Sequence, residues 1–447
     1  METQTSLTRE QKEAVGLLSI GTFLEYFDLM LYIHMAVLLN DLFFPKTDPF
    51  TASLLAAFAF WSTYLLRPFG ALIFGYIGDY IGRKATVIIT SIMMALACVT
   101  MALVKTYSEI GITASVIVTA CRMLQGMSCV GEISGAELYL TETIKPPVQY
   151  PAVTTVTLFS LLGATAALGI ASTVTSSGNA NWRIAFCIGA AIALVGVVAR
   201  TALKETPDFI DAKLRAKKSI EIVNDNLELL KCNFIVKEKV YWKTTLSYFL
   251  IRCAWPACFY FSYIHCGSIL KNFFHFKPTE VIHQNFIVSI AELITAFVIL
   301  CLSKRVYPLR ILKIILVIYS IFILSAPYLL EHWVDTPSKL LIIQLLAGMF
   351  GLGIIPAAPI LYKHFPIFKR FTYTSFLYAL SRIVMYGVTS VGLVYLTKHF
   401  NHYGLLIIMI PVIIAYTLGL CHFEDLEKKA GNYQIFSDNT EIAKDQI

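Results

Sequence analysis

The ionisable side chains with the greatest chemical potential in this chain lie inside long apolar runs. Glu25, Asp28, Arg67, Arg122, Glu132, Arg252, Glu292 and Arg382 are each surrounded by stretches of Leu, Ile, Val, Ala and Phe. A charge in hydrocarbon costs about 2.5 to 3.5 kcal/mol on insertion scales, so such groups normally face a partner or a wet cavity. Carrying a proton and binding a charged solute are the two uses that fit. Glu25 and Asp28 are three residues apart, which puts both carboxylates on one face of a helix. Such a pair suits proton transfer; the other reading makes each a structural partner of an arginine. Arg67 lies twelve residues before Asp79, roughly 18 Å along a helix, and so near mid-depth. Its guanidinium stays charged and can hold a carboxylate bidentately, which makes it the first candidate for a substrate acid group. An ion pair with Glu25 or Asp28 is the alternative.

Arg122 and Glu132 are ten residues apart, separated by roughly 80° and 15 Å, so they share a broad face as two stations for a proton. Gly131 and Gly135 flank Glu132 at a spacing that suits close helix packing. Glu137 lies nearer the end of its run, where water would receive it. Glu292 is placed to pair with Arg252 or Arg382 and hold its helices together, and His265 reads as a satisfied histidine within a bundle. Tyr26, Phe27, Tyr32, Trp255, Phe259, Tyr260 and Tyr263 cluster near these charges. A ring face can stabilise a desolvated cationic nitrogen by about 2 kcal/mol. Aromatics make up 13% of the chain, however, so packing alone accounts for many of them. The candidates are then Arg67, Tyr26, Trp255 and Arg122 for a substrate, and Asp28, Glu25 and Glu132 for a proton.

The elements that must position these groups follow from composition. The chain is 57% hydrophobic and 15% charged, with a mean hydropathy of +0.68, far from the balance of a soluble domain. Runs long enough to cross about 30 Å of hydrocarbon recur near 13–39, 51–77, 85–104, 109–138, 151–175, 182–202, 243–270, 281–302, 308–330, 337–361, 370–397 and 403–422. They are continuous, not alternating, which predicts an all-α membrane protein of twelve transmembrane helices and excludes a barrel. Met1 to Lys12 is polar without a cleavable signal pattern, so the first helix is expected to serve as targeting signal and mature structure alike. With both termini on the cytoplasmic side, Arg83, Lys84, Lys145, Lys304, Arg305, Arg310, Lys363, Lys369 and Arg370 fall in inner loops, a positive-inside bias that uses the net charge of +7.

No basic patch interleaved with aromatics suggests nucleic acid. Ten cysteines without a C-x-x-C pair suggest neither disulfide nor metal. No nucleophile–base constellation or phosphate loop points to an enzyme. The polar stretch 204–242 is expected to be a cytoplasmic linker between an N-terminal six-helix bundle, 1–203, and a C-terminal one with a short tail, 243–447, as in carriers that rock about a midplane site.

Between the second and third runs, Gly75-Tyr76-Ile77-Gly78-Asp79-Tyr80-Ile81-Gly82-Arg83-Lys84 suits a tight turn closed by a basic pair. The corresponding loop of the second half, Leu302 to Pro308, has neither acid nor glycine. Gly21-Thr22-Phe23-Leu24-Glu25-Tyr26-Phe27-Asp28, Arg67-Pro68-Phe69-Gly70, Arg122-Met123-Leu124-Gln125-Gly126, Gly131-Glu132-Ile133-Ser134-Gly135-Ala136, Trp182-Arg183-Ile184-Ala185-Phe186 and Leu203-Lys204-Glu205-Thr206-Pro207-Asp208-Phe209 complete a pattern. Together they resemble the metabolite:proton symporter branch of the major facilitator superfamily, and most its bacterial proline/betaine transporters. In the second half, Pro356-Ala357, His364-Phe365-Pro366 and Arg370-Phe371-Thr372-Tyr373 resemble the turn from the tenth to the eleventh helix, with Lys363 where an acid is usual.

The resemblance implies the major facilitator fold and proton-coupled import of a small zwitterion such as proline or glycine betaine by alternating access. It also implies a gate at Gly75, Asp79, Gly82 and Arg83, with Asp79 tied to the eleventh helix near Lys369 or Arg370. No cofactor is implied beyond the proton gradient. The expected partners are the bilayer, the solute and H+, with a monomer in a bacterial inner membrane. The tail after His422 lacks sustained heptads, so osmotic regulation through a coiled coil is not expected. A dicarboxylate or 2-oxoglutarate symporter, with Arg183 or Arg122 as second cation, and a non-transporting sensor are the rivals.

Overall fold

A computed structural model describes residues 4–45, 61, 63–176, 183–191 and 239–432. Within these, the side chains of Tyr32, Asp79, Arg83, Lys84 and Glu132 fall outside the description. Most of the 204–242 linker also lies outside the described residues. Helices dominate what is described, and the only pairing of extended backbone among those residues is an isolated bridge between Gln4 and Pro147.

The first half comprises α1 (Arg9–Phe43), α2 (Arg67–Tyr76, continued by a π-helical turn over Ile77–Ile81), α3 (Arg83–Leu103), α4 (Ile112–Thr143), α5 (Gln149–Ser176) and α6 (183–191). The second half opens with α7, a run of Trp242–Arg252, Ala254–Phe259, the π-helical Tyr260–His265 and Cys266–Asn272. It continues with α8 (Pro278–Leu302), α9 (Pro308–His332), α10 (Pro337–Met349, resumed at Ala358–Lys363), α11 (Ile367–Phe400) and α12 (Gly404–Lys429). Arg9–Leu31, Gln149–Thr173, Thr279–Leu302, Pro308–His332 and much of Ile367–Lys429 are long and apolar enough to span a bilayer. Helices satisfy their backbone internally, which is the condition for lying in lipid. Phe69, Leu103, Ile112, Ile294, Ile321 and Leu418 are exposed on the outside of the bundle, as suits a hydrocarbon solvent.

Packing is closest between α1 and α5, and between α3 and α4, within the first half. The halves meet along α2 with α11 and α5 with α8. The expected tenth span, 337–361, is interrupted. After Met349 the chain leaves helical geometry and re-enters it at Ala358. Gly351 and Gly353 loosen the backbone there, and Pro356 and Pro359 remove donors.

Gly163 lets the backbone of α5 come against that of α1 at Phe23. A Cβ on Gly163 would stand 2.2 Å from the Phe23 carbonyl oxygen, a clash that neither helix can relieve by a side-chain rotation. Gly163→Ala should therefore destabilise the protein by about 1 to 3 kcal/mol. Thermal unfolding in detergent checks this, and an unchanged midpoint would show that the two helices are not held this closely.

Candidate functional site

A cavity of about 140 Å³ lies between the halves, well below the roughly 300 to 1,000 Å³ of drug-sized sites. The first half contributes Thr22 and Tyr26 of α1, Glu137 of α4 and Thr157 and Ser160 of α5. Its opposite wall carries Arg252, Trp255 and Phe259 of α7, Glu292 of α8, and Tyr378 and Arg382 of α11. The interruption of α10 is part of the lining through Met349, Gly351, Gly353, Ile354 and Ile355. Irregular backbone at this depth is tolerated where it faces a cavity or finds a partner, and Tyr416 donates a 2.6 Å hydrogen bond to the Gly353 carbonyl.

Among the described lining residues the charged ones are two arginines and two glutamates. The Arg382 guanidinium is held 4.4 Å from the Trp255 ring centre and 4.6 Å from that of Tyr378, while its Nη1 donates to the Arg252 carbonyl at 3.3 Å. Trp255 stacks on Phe259 with centroids 5.1 Å apart. Glu292 accepts a 2.8 Å hydrogen bond from Tyr263. Arg252 donates from Nε to Tyr248 at 2.9 Å and from Nη2 to Tyr362 at 2.6 Å. The Tyr362 hydroxyl in turn donates to Glu137 in a very short contact, and Arg252 Nη2 is 3.7 Å from the same carboxylate. Arg252 is thus paired across the halves with Glu137, while Glu292 turns to Tyr263. This differs from the ion pair expected between Arg252 or Arg382 and Glu292, and from the solvated end expected for Glu137, which is buried.

The halves touch on both sides of the cavity. Toward the end that carries the Gly75–Lys84 turn, Arg370 Nη1 is 3.2 Å from the buried Glu142. There a Cβ on Gly75 would lie 2.9 Å from Thr372 Cα, so only glycine admits so close an approach. Gly82 ends the π-helical turn with φ 147°, a conformation that favours glycine. At the last residue of α10, burial pushes the Lys363 pKa down to about 8. Toward the opposite end, Trp61 Nε1 donates to Ile383 at 3.2 Å, Ser172 meets His283 at 3.4 Å, and Thr165 donates to the Ser289 carbonyl at 3.4 Å.

Of the residues assigned to substrate or proton from sequence, Tyr26 and Trp255 line the cavity, joined there by Glu137, Arg252, Phe259, Glu292 and Arg382, which the sequence also singled out. Arg67 is fully buried on α2 with its guanidinium 4.2 Å from the Tyr64 ring centre. Arg122 donates to Thr63 Oγ1 at 2.9 and 2.5 Å, and Arg183 to the Val104 carbonyl at 2.8 Å. None of these three is among the lining residues. Glu25 and Asp28 are both buried on α1. Asp28 sits against Gly189 and the Cys98 thiol, and apart from that thiol neither of its oxygens has a partner among the described residues. Gly75 and Gly82 are described, whereas the side chains of Glu132, Asp79 and Arg83 are outside the description. His265, expected to be satisfied, has a buried Nε2 without a hydrogen bond among the described residues. The broken tenth helix was not anticipated, although Gly351-Leu352-Gly353-Ile354-Ile355-Pro356 carries its signal.

Residues 18–367 match the family described as Major Facilitator Superfamily. The chain is 29% identical over 275 residues to the proline/betaine transporter of Escherichia coli (strain K12), a match covering 60% of this chain and 54% of that protein's length. It is 27% identical over 378 residues to the inner membrane metabolite transport protein YhjE of the same organism, covering 82% of this chain and 83% of the other. Among solved structures, the proton:xylose symporter XylE bound to 6-bromo-6-deoxy-D-glucose superposes with a TM-score of 0.74 at 14% identity, over 93% of this chain and 95% of that one. That likeness is one of fold.

Tyr416→Phe removes the donor to the Gly353 carbonyl while keeping the ring. The expected loss is about 1 kcal/mol or more, as for a polar group left unpaired, read as a lower unfolding midpoint in detergent. No change would mean that the interrupted segment of α10 does not depend on α12.

Proposed function

The chain belongs to the Major Facilitator Superfamily, and on that premise we propose that it is a proton-coupled secondary transporter of a small zwitterionic metabolite such as proline or glycine betaine. Family and transporter relatives point away from an enzyme. The observation that carries the substrate class is the balance of the cavity: two arginines, two glutamates and a wall of rings. A neutral solute with a carboxylate at one end and a cationic nitrogen at the other can satisfy such a lining without importing net charge. The Arg252 and Arg382 forks, which share the Tyr378 ring, suit the carboxylate, and the Trp255, Phe259 and Tyr26 faces, with Glu292, suit the nitrogen. A dicarboxylate would bring two negative charges to walls already balanced, which makes it the weaker reading.

The transport cycle follows from the closures on either side of the cavity. Opening one end while the other stays shut exposes the cavity alternately, the motion expected of two bundles about a midplane site. On this reading the chain is an inner-membrane protein with the glycine-rich turn on the cytoplasmic side, and Gly75, Asp79, Gly82 and Arg83 belong to the closure there. Asp28, Glu25 and Glu132 are the acids proposed to carry the proton, with Arg67 and Arg122 setting the field near them. Asp28 suits this best, being buried with so few polar neighbours.

Purified protein in liposomes with an imposed inward pH gradient should accumulate labelled proline or betaine but not 2-oxoglutarate or citrate. Accumulation of the dicarboxylate alone would replace the substrate reading. Asp28→Asn should abolish gradient-driven accumulation and spare counterflow exchange; full accumulation would remove Asp28 from proton coupling. Trp255→Ala should raise the apparent KM several-fold, in keeping with about 0.5 to 2 kcal/mol for a lost cation–ring contact.

A further inference from the structure

Glu137 is a carboxylate supplied by the protein to a cavity whose proposed solute also carries one. It reaches in from α4, buried, and is satisfied by three groups: Thr157 of α5, whose hydroxyl donates at 3.3 Å, the Tyr362 hydroxyl, and the Arg252 guanidinium 3.7 Å away. The last two belong to the other half. Arg252 is itself framed by the Tyr248, Tyr362 and Tyr378 rings at 5.3, 5.9 and 5.0 Å from their centres. Both charged groups line the cavity, and Glu137 stands five residues before Glu142, which meets Arg370 toward the glycine-rich turn. Tyr362 stands on the short helix Ala358–Lys363, which the interruption of α10 separates from the rest of that helix.

A buried ion pair that joins two bodies resists their separation, because parting them leaves each charge uncompensated in a low dielectric. The resistance disappears when another anion takes over the cation. We propose that Glu137 occupies Arg252 as an internal stand-in for the substrate carboxylate, latching the halves on this side of the cavity, and that the arriving carboxylate displaces it and so releases the latch. Substrate binding and opening are then linked by competition for one guanidinium. A solute with the cationic nitrogen but no carboxylate leaves the latch closed, so Arg252 also serves as a specificity residue. Tyr362 transmits the release, since its hydroxyl accepts from the arginine and donates to the glutamate.

This inference rests on the proposed zwitterionic substrate, and its test separates the two. The first arm needs no substrate. Hydrogen exchange in residues 358–374 of the purified, empty protein should be about tenfold faster in Glu137→Gln, the equivalent of a lost charge-assisted hydrogen bond. Tyr362→Phe should shift it in the same direction. The double exchange Glu137→Arg with Arg252→Glu should return it toward the wild-type rate, which a merely packed glutamate would not predict. In the second arm, labelled glycine betaine and the carboxylate-free choline are bound to wild type and Glu137→Gln. Removing the internal competitor should tighten betaine roughly tenfold and leave choline unchanged. Unchanged exchange in Glu137→Gln overturns the latch whatever is bound. Betaine binding that weakens or stays constant in Glu137→Gln overturns the displacement. Faster exchange with no betaine binding by wild type sinks the substrate reading and the displacement with it, while the latch stands.

Discussion

Charge inside this bundle mostly meets an opposite charge, a hydroxyl or a ring face, Asp28 being the described exception, and two of those meetings join one half of the chain to the other. Glu137 with Arg252, and Glu142 with Arg370, place the acid on α4 and the base on the second half. A single half could not bury these groups without water. The same contacts therefore stabilise the closed arrangement and are consumed when it opens. Breaking one buried pair by removing a partner costs about 3 to 5 kcal/mol, and moving a two-state equilibrium from one extreme to the other takes about 5.5 kcal/mol. One or two such contacts are thus of the right size to govern a conformational cycle.

The cavity obeys the same rule on a smaller scale. Its arginines are not left to water: Arg382 lies against two rings and Arg252 among three. Ring faces hold the Arg382 guanidinium in place without neutralising it, so that fork remains available to a solute, whereas the Arg252 fork is engaged by Tyr248, Tyr362 and Glu137. The interruption of α10 puts non-helical backbone in the wall, where the Gly353 carbonyl accepts from Tyr416. A continuous helix would have engaged the Gly353 carbonyl in its own backbone ladder and left Tyr416 without its acceptor.

Much of this was legible in the residues. Continuous apolar runs set the helices, and the scarcity of charge within them marked Arg252, Glu292 and Arg382 as placed for a purpose. Spacing along one helix could not say which partner each would find, because pairing across a bundle depends on rotation and depth set by other helices. Glu137 looked like a solvated end because its nearest sequence neighbours are close to a loop; its burial comes from α5, α7 and α10, distant in sequence. Glu292 and Arg252 stand on successive helices, yet each is claimed by a tyrosine, Tyr263 and Tyr362. The break in α10 was written in Gly351, Gly353 and Pro356 but hidden by the apolar residues among them, which preserve a spanning hydropathy.

The two closures differ in chemistry, and that difference bears on direction. On the side of the glycine-rich turn, the halves are joined by buried ionic contacts and by backbone approach at Gly75. On the opposite side, among the described residues, Trp61 and Thr165 donate to backbone carbonyls and Ser172 meets His283. Neutral bonds contribute about 0.5 to 1.5 kcal/mol each and those to charged groups about 1.5 to 3. Counted over the described contacts alone, the side without an ionic pair offers the smaller resistance to opening. In the proposed orientation that side faces outward, so the empty carrier would present its cavity to the medium. The charged side would then yield only when something inside the cavity satisfies its arginine, the sequence of events an importer requires.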